Sequence, residues 1–577
     1  MQLTAQTVGI FVAWLATLVT LGAWTTATFL RPSTGDRRLV LKGDPLVRVA
    51  QASSVVALLA IASQIVQTSH DGSASAPSTG WLFTGIMMGG ALLVGLLPRF
   101  ETALYALALG TMSLIAPVAV RETVVPRNHD ITGDATVVAI VAFTVLAGIW
   151  VCSLMLRPDE RRHPVVIWRL RFTSLVAAAV VVVCDLTTVL IRGDIDTNAT
   201  WHLVRIACAV VIAALSFAGS RVTTFLAAVL GVFGQFAAVQ TLLIIPHGTD
   251  EVLPVDARAF GYSVANSPTL HNLALEWRIN LFFLGVAVAA IAVYLVLVAQ
   301  LKRRGDHWSS GRTFAWVLGW LIVVFLTSSG VGRYAPAVFS VHMFMNLGLN
   351  MLAAMILVLG GFMTLVLRAT PARRAGEPAG LREWVTASMH TRFVALMYNP
   401  IIALVFMTGT YYVFYLTSLY VDSLQGHWLH QYFYLHFLVT GYIFYGLIIG
   451  VDQPLHPLPH IGKLGLIIGA MPFHAFFGVI LMGKQNVFAE AFLKSLGHPW
   501  LEGRGLMHDQ WVGGTIAWAG GEFPLVIALI ALLTQWSRQD SKEGRRIDRH
   551  LDAGTDQSYD AYNDMLSQLA ERDRSKG

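Results

Sequence analysis

Charge is what this sequence has least of. Asp, Glu, Lys and Arg supply 13% of its 577 residues, about half the share of an average soluble domain, which is about 25%. That shortage excludes a soluble enzyme and a disordered chain, since both keep a charged, solvated surface. Cysteine is scarce as well. Cys152, Cys184 and Cys208 all lie inside apolar runs, which excludes a disulfide framework and a zinc ribbon. No basic region leads the first apolar run, and no small-residue cleavage site stands out after it. Residues 7–30 therefore read as a retained span rather than a signal peptide. No repeat of fixed period is present.

Apolar residues dominate instead, at 55% of the chain. A spanning helix needs about 20 mostly apolar residues, and about fifteen segments reach that length. Numbered here as spans 1 to 15, they lie near 7–30, 46–68, 81–97, 102–120, 136–156, 169–191, 200–218, 222–245, 279–299, 313–329, 341–367, 399–420, 429–450, 463–483 and 511–537. The expected fold is all-α, a polytopic transmembrane helical bundle. An odd number of spans puts the termini on opposite sides.

The net charge of +6 does not point to nucleic acid, because Lys and Arg collect in the cytoplasmic loops of membrane proteins. With the N-terminus outside and the C-terminus cytoplasmic, about 30 of the 40 basic residues fall inside. Among them are Arg31, Arg37, Arg38, Arg157, Arg161, Lys302, Arg303, Arg304, Arg373, Arg374 and the tail cluster from Arg538 to Arg546. A missed or invented span would flip every later loop and spoil that bias. The outer loop near 246–278 is mildly acidic. In the polar tail, Tyr559–Leu569 reads equally as a short surface helix or as disorder.

Polar side chains at membrane depth are expensive and mark function by default. The C-terminal half concentrates histidines toward one leaflet. Span 11 opens with Ser340-Val341-His342-Met343-Phe344-Met345-Asn346, where His342, Met345 and Asn346 share a helix face. Span 13 begins at His427-Trp428-Leu429-His430 and continues to His436. Span 14 carries Met471 and His474, and Met507-His508-Asp509-Gln510 precedes span 15. Imidazole and thioether together favour Cu(I) among biological metals. The expected ligands are His342, Met343, Met345, His436 and His474. The bland reading of each is a satisfied core histidine or a methionine filling a gap. The turn His456-Pro457-Leu458-Pro459-His460 reads as structural, because its prolines break a helix.

Two charges lie at matching depth in consecutive spans. Asp185 sits about 6 residues below the outer end of span 6, and Arg205 about 5 below the outer start of span 7. They are expected to form an ion pair that fixes packing, with His202 and Cys184 close by. Span 15 holds Gly513-Gly514 and Gly520-Gly521-Glu522-Phe523-Pro524, the pattern of a kinked helix. For Glu522 two roles stay open, proton carriage or holding the kink.

Several ordered cues in residues 272–540 resemble CtaG, the seven-span cytochrome c oxidase assembly family. They are Lys302-Arg303-Arg304-Gly305 with His307-Trp308 and Gly311-Arg312, then Phe339-Ser340-Val341-His342-Met343. His436-Phe437-Leu438-Val439-Thr440-Gly441 follows, and Asp509-Gln510 with Gly513, Gly514 and Trp518. The family's helix repeats its histidine one turn on, where this chain has Asn346. An amide oxygen is a poor Cu(I) ligand, so either Met345 substitutes, or His436 and His474 carry the site, or metal binding has been lost. Spans 1 to 8 stand where fused relatives carry a CopD-like copper-resistance domain. That resemblance rests on eight spans, on Trp201-His202-Leu203-Val204-Arg205 and on position. The implied layout is 1–250 CopD-like, 251–278 outer loop, 279–540 CtaG-like and 541–577 charged cytoplasmic tail.

The resemblance implies a multi-pass plasma-membrane factor, not an enzyme, that handles Cu(I) for insertion into an oxidase copper centre. Its expected partners are a haem–copper oxidase subunit or its assembly factors, and membrane lipid; no nucleic acid is expected. Two other classes stay open. A copper transporter needs a continuous polar or Met line across the membrane, and the visible cluster stops near mid-depth. A haem-binding electron-transfer subunit needs facing axial ligands, for which His436 and His474 are one conceivable pair.

Overall fold

Backbone that enters a bilayer must satisfy its own hydrogen bonds, and the chain does so with helices throughout. The computed structural model describes residues 5–32, 41, 43–70, 76–97, 99–122, 127–193, 195–244, 253–374, 376–424, 426–452, 458–552 and 558–575. No strand occurs among the described residues. The start of the long loop, 245–252, and His456 and Pro457 of the proline turn lie outside them.

Among the described residues, thirteen helices are long and apolar enough to cross a membrane. Two shorter apolar helices, Gly80–Gly95 and Pro400–Leu416, stand where spans 3 and 12 were expected. All fifteen segments are therefore present as helices, and the protein is an all-α, multi-pass membrane bundle. Departures from straight helices have local causes. Span 4 breaks between the helices Phe100–Met112 and Ile115–Glu122, where Pro117 offers no N–H to the Ser113 carbonyl. Span 11 changes from α to π over Gly348–Ala353. There the backbone lies so close to span 13 that a Cβ on Gly441 would stand 1.8 Å from the Asn350 carbonyl oxygen. Span 12 has a π segment at Val405–Gly409. Single π turns inside helices are frequent at functional sites.

Buried apolar residues of spans 9 to 15 form one cluster, from Phe260 to Leu532. Those of spans 1 to 8 form several smaller ones. The two sets of spans are tied at both ends. At one end Arg278 donates through Nε to Asp130 Oδ2 at 2.7 Å and through a terminal nitrogen to Asn128 Oδ1 at 2.9 Å. The Asn128 N–H donates to the Gly261 carbonyl at 2.8 Å. Gly261 has φ +84, and a Cβ there would meet Asp130 Oδ1 at 2.6 Å. Only glycine fits both that conformation and that approach. Asp256 anchors the same loop, accepting from Ser263 Oγ at 2.7 Å and from the Val264 N–H at 2.8 Å. Burial alone would raise its carboxyl pKa. These donors outweigh burial and hold it below the usual carboxylate range.

At the other end the loop after span 11 passes beneath the first eight spans. Arg169 lies over the Phe29 ring at 4.5 Å and donates to the Ala379 carbonyl at 2.7 Å. Trp384 meets Phe29 and Phe100 edge-on, each at 6.0 Å. Tyr105 is hydrogen-bonded to Thr391. The last spanning helix runs on without a break as Leu506–Asp552, and Ser558–Arg574 follows as a separate, exposed helix.

Candidate functional site

Helix Phe339–Leu347 starts inside the protein, so its first backbone donors need a partner other than water. Asp509 of the last span supplies it. Its carboxylate accepts from Ser340 Oγ at 2.5 Å and from the Ser340 N–H at 3.3 Å. Gln510 accepts from the Phe488 N–H at 2.8 Å and donates to the Asn486 carbonyl at 3.1 Å. Gly513 lets the two helices close, since a Cβ there would lie 2.5 Å from Phe339 Cδ1. The Asp509-Gln510…Gly513 signature is thus the clamp that places His342.

His342 is fully buried. Its ring lies beside Phe414 at 6.2 Å, Tyr415 at 5.8 Å, Tyr420 at 5.1 Å and Tyr434 at 6.4 Å. The histidine that faces it is His430, with ring centroids 5.6 Å apart. His430 Nε2 is buried and makes no hydrogen bond among the described residues. Asn346 donates to His342 Nε2 at 3.0 Å and to the Tyr415 hydroxyl at 2.7 Å, while its own Oδ1 has no partner among the described residues. Asn346 thus holds the His342 ring, a positioning role open to an amide.

Met343 and Met345 are fully buried in the same helix. His436 is half-buried on another face of span 13, 3.0 Å from Thr410 Oγ1 and beside Phe406 and Tyr432. His474 sits deeper, edge-on to Tyr411 at 5.4 Å, with Nε2 unpartnered among the described residues. Gly521 makes room for it, as a Cβ there would stand 3.1 Å from His474 Cβ. Next in sequence, both Glu522 carboxylate oxygens are buried without a hydrogen-bond partner among the described residues. No ring contact joins His342, His436 and His474 among the described residues. No three His, Cys, Asp or Glu side chains among those residues converge on one metal position.

His430 lies in the motif His427-Trp428-Leu429-His430, six positions before the expected ligand His436. Helical phase separates them. His430 and Tyr434 are i, i+4 and share the face toward His342, whereas His436 is turned away from it. Asp134, which pairs with His427 Nε2 at 2.9 Å, carried no sequence signal, because its partner is 293 positions away.

In the first eight spans, Asp185, His202 and Arg205 form a buried cluster with at most 1% of any side chain exposed. Arg205 Nε donates to Asp185 Oδ2 at 2.8 Å, and a terminal guanidinium nitrogen donates to the other carboxylate oxygen. His202 Nδ1 lies 2.8 Å from Asp185 Oδ1. Cys184 adjoins the cluster without joining these bonds.

Uncharacterized proteins of Mycobacterium bovis and Mycobacterium tuberculosis are each 41% identical to this chain over 312 residues, which is 54% of this chain and 47% of the relative. One of Mycobacterium leprae is 39% identical over 311 residues, with the same coverage. The chain spans about half the length of these curated relatives. No solved structure matches it. Residues 292–539, the segment that carries His342, His430, His436 and His474, match the family model described as Cytochrome c oxidase caa3 assembly factor (Caa3_CtaG).

Proposed function

We propose that this protein is a non-enzymatic plasma-membrane factor in cytochrome c oxidase assembly, and that it accepts Cu(I) and passes it on by ligand exchange. The family match over 292–539 carries the assembly role. The copper reading rests on the facing pair His342 and His430. Two metal–nitrogen bonds of about 2 Å plus the two ring radii span about 6 Å, close to the 5.6 Å between these rings. The unpartnered Nε2 of His430 supports the same reading, because an orphaned buried donor or acceptor is costly unless something binds it. Low-coordinate imidazole and thioether sites suit Cu(I), and Met345 lies one turn from His342. Asp509, Gln510 and Asn346 hold the site rather than bind. His436 and His474 have separate surroundings and lie outside this pair. The partners are an oxidase subunit or its assembly factors, together with membrane lipid.

The test is deletion under copper limitation. Oxidase polypeptide and haem should assemble while oxidase activity falls several-fold, with partial recovery on added copper. Undiminished activity in the deletion strain would sink the function.

The positive charge bias further supports an outside N-terminus and a cytoplasmic C-terminus. A membrane-impermeant thiol reagent applied to intact cells should label Ser267→Cys but not Arg374→Cys, both exposed positions. The native Cys152, Cys184 and Cys208 are buried and give little background. Labelling of Arg374→Cys in sealed cells would reverse the orientation.

A further inference from the structure

At the end where the two sets of spans meet lies a cavity of about 50 Å³, lined in part by Asp130, Asp134, Arg278, His427, His430 and Gln431. Its two carboxylates differ. Asp130 is matched by a permanent cation, with Arg278 at 2.6 Å. Asp134, only 1% exposed, accepts from the Phe282 N–H at 3.0 Å and faces His427 Nε2 at 2.9 Å. His427 balances it only when protonated. Gln431, one turn along the helix, places Nε2 3.2 Å from the same His427 nitrogen. It is 1% exposed, and its Oε1 is buried without a hydrogen-bond partner among the described residues. A half-turn of the amide brings Oε1 to the place Nε2 now occupies.

From this we infer that Asp134, His427 and Gln431 form a site for a borderline divalent cation of the Cu²⁺ or Zn²⁺ class, built jointly by the first eight spans and the last seven. Ligand–ligand separations of 2.9 and 3.2 Å are close to the about 3.3 Å between donors around a tetrahedral ion with 2.0–2.1 Å bonds. One carboxylate, one imidazole and one amide oxygen are harder donors than the pair beneath, so they favour the divalent ion over Cu(I). His430 is the next residue of the same helix face to line the cavity, and it in turn faces His342. The inference stands apart from the Cu(I) reading, because it names other donors and another oxidation state. It gives spans 1 to 8 a chemical part in the protein, the supply of Asp134.

The experiment uses the purified full chain in detergent, titrated with Cu²⁺ without reductant and followed by electron paramagnetic resonance. One equivalent should bind with a type 2 spectrum and nitrogen coupling from one imidazole, and Zn²⁺ should compete. Asp134→Asn should weaken binding at least a hundredfold. Because that variant can also loosen the contact between the halves, Gln431→Leu serves as the second test. It keeps the Asp134–His427 pair and should weaken binding about tenfold. The His342→Leu/His430→Leu double variant should keep the Cu²⁺ signal while losing Cu(I), so the two readings fail separately. Absence of a one-equivalent Cu²⁺ signal, or unchanged affinity in either Asp134→Asn or Gln431→Leu, overturns the site and leaves a hydrogen-bonded latch.

Discussion

Asp185→Asn alone is expected to destabilise the protein by about 3–5 kcal/mol, the range for removing one partner of a buried ion pair. Arg205 has no exposed surface, and Asp185 is its charge partner through both carboxylate oxygens. With Asn in place, the guanidinium keeps its charge in a site that water does not reach, because arginine stays protonated. Asp185→Asn combined with Arg205→Gln leaves two neutral groups able to hydrogen-bond, and should recover most of the loss. His202→Gln keeps a hydrogen-bonding side chain beside Asp185 and should cost far less than Asp185→Asn. The measurement is the thermal midpoint and yield of monodisperse protein in detergent. Equal losses in the single and double variants would mean that the pair contributes nothing as a pair.

Loss of Cu(I) binding is the second large effect. His342→Leu or His430→Leu should each weaken Cu(I) binding by at least tenfold, about 1.4 kcal/mol, and the double variant should reduce it to background. Leucine fills much of the imidazole volume, which limits the cavity term that an alanine would add. Affinity is read by competition with a Cu(I) chelator under reducing conditions, and thermal midpoints check the fold. Cells carrying the double variant should assemble oxidase polypeptide and haem but show low activity, partly rescued by copper. The His436→Ala/His474→Ala double variant distinguishes the facing pair from the deeper set. Cu(I) affinity should survive it. Loss there, with His342 and His430 intact, would move the ligands to the deeper histidines.

Asn346 makes a sharper version of the same argument. It stands where the resembled family repeats its histidine, and it donates to both His342 and Tyr415. The added ligand is absent, but the ring it would have accompanied is held in place. A single helix sequence shows only the substitution. That Asn346 orients His342 depends on Tyr415, which comes from a different span.

Composition and periodicity were sufficient for the architecture, because each spanning helix closes its own backbone hydrogen bonds and so leaves a local, contiguous signature. The fifteen segments were readable one stretch at a time. Matching depths in adjacent spans also brought Asp185 and Arg205 to one level, since consecutive antiparallel helices are neighbours. Which histidines face each other was not readable in that way. His430 and His436 are six positions apart on one helix and equally apolar in surroundings, so only helical phase against spans 11 and 12 separates the residue beside His342 from the one bonded to Thr410. The meeting of Asp134 with His427 is further removed from any local signal. It depends on two sets of helices packing side by side, held by Arg278 at one end and Arg169 at the other, and contacts between distant spans are a property of that packing alone.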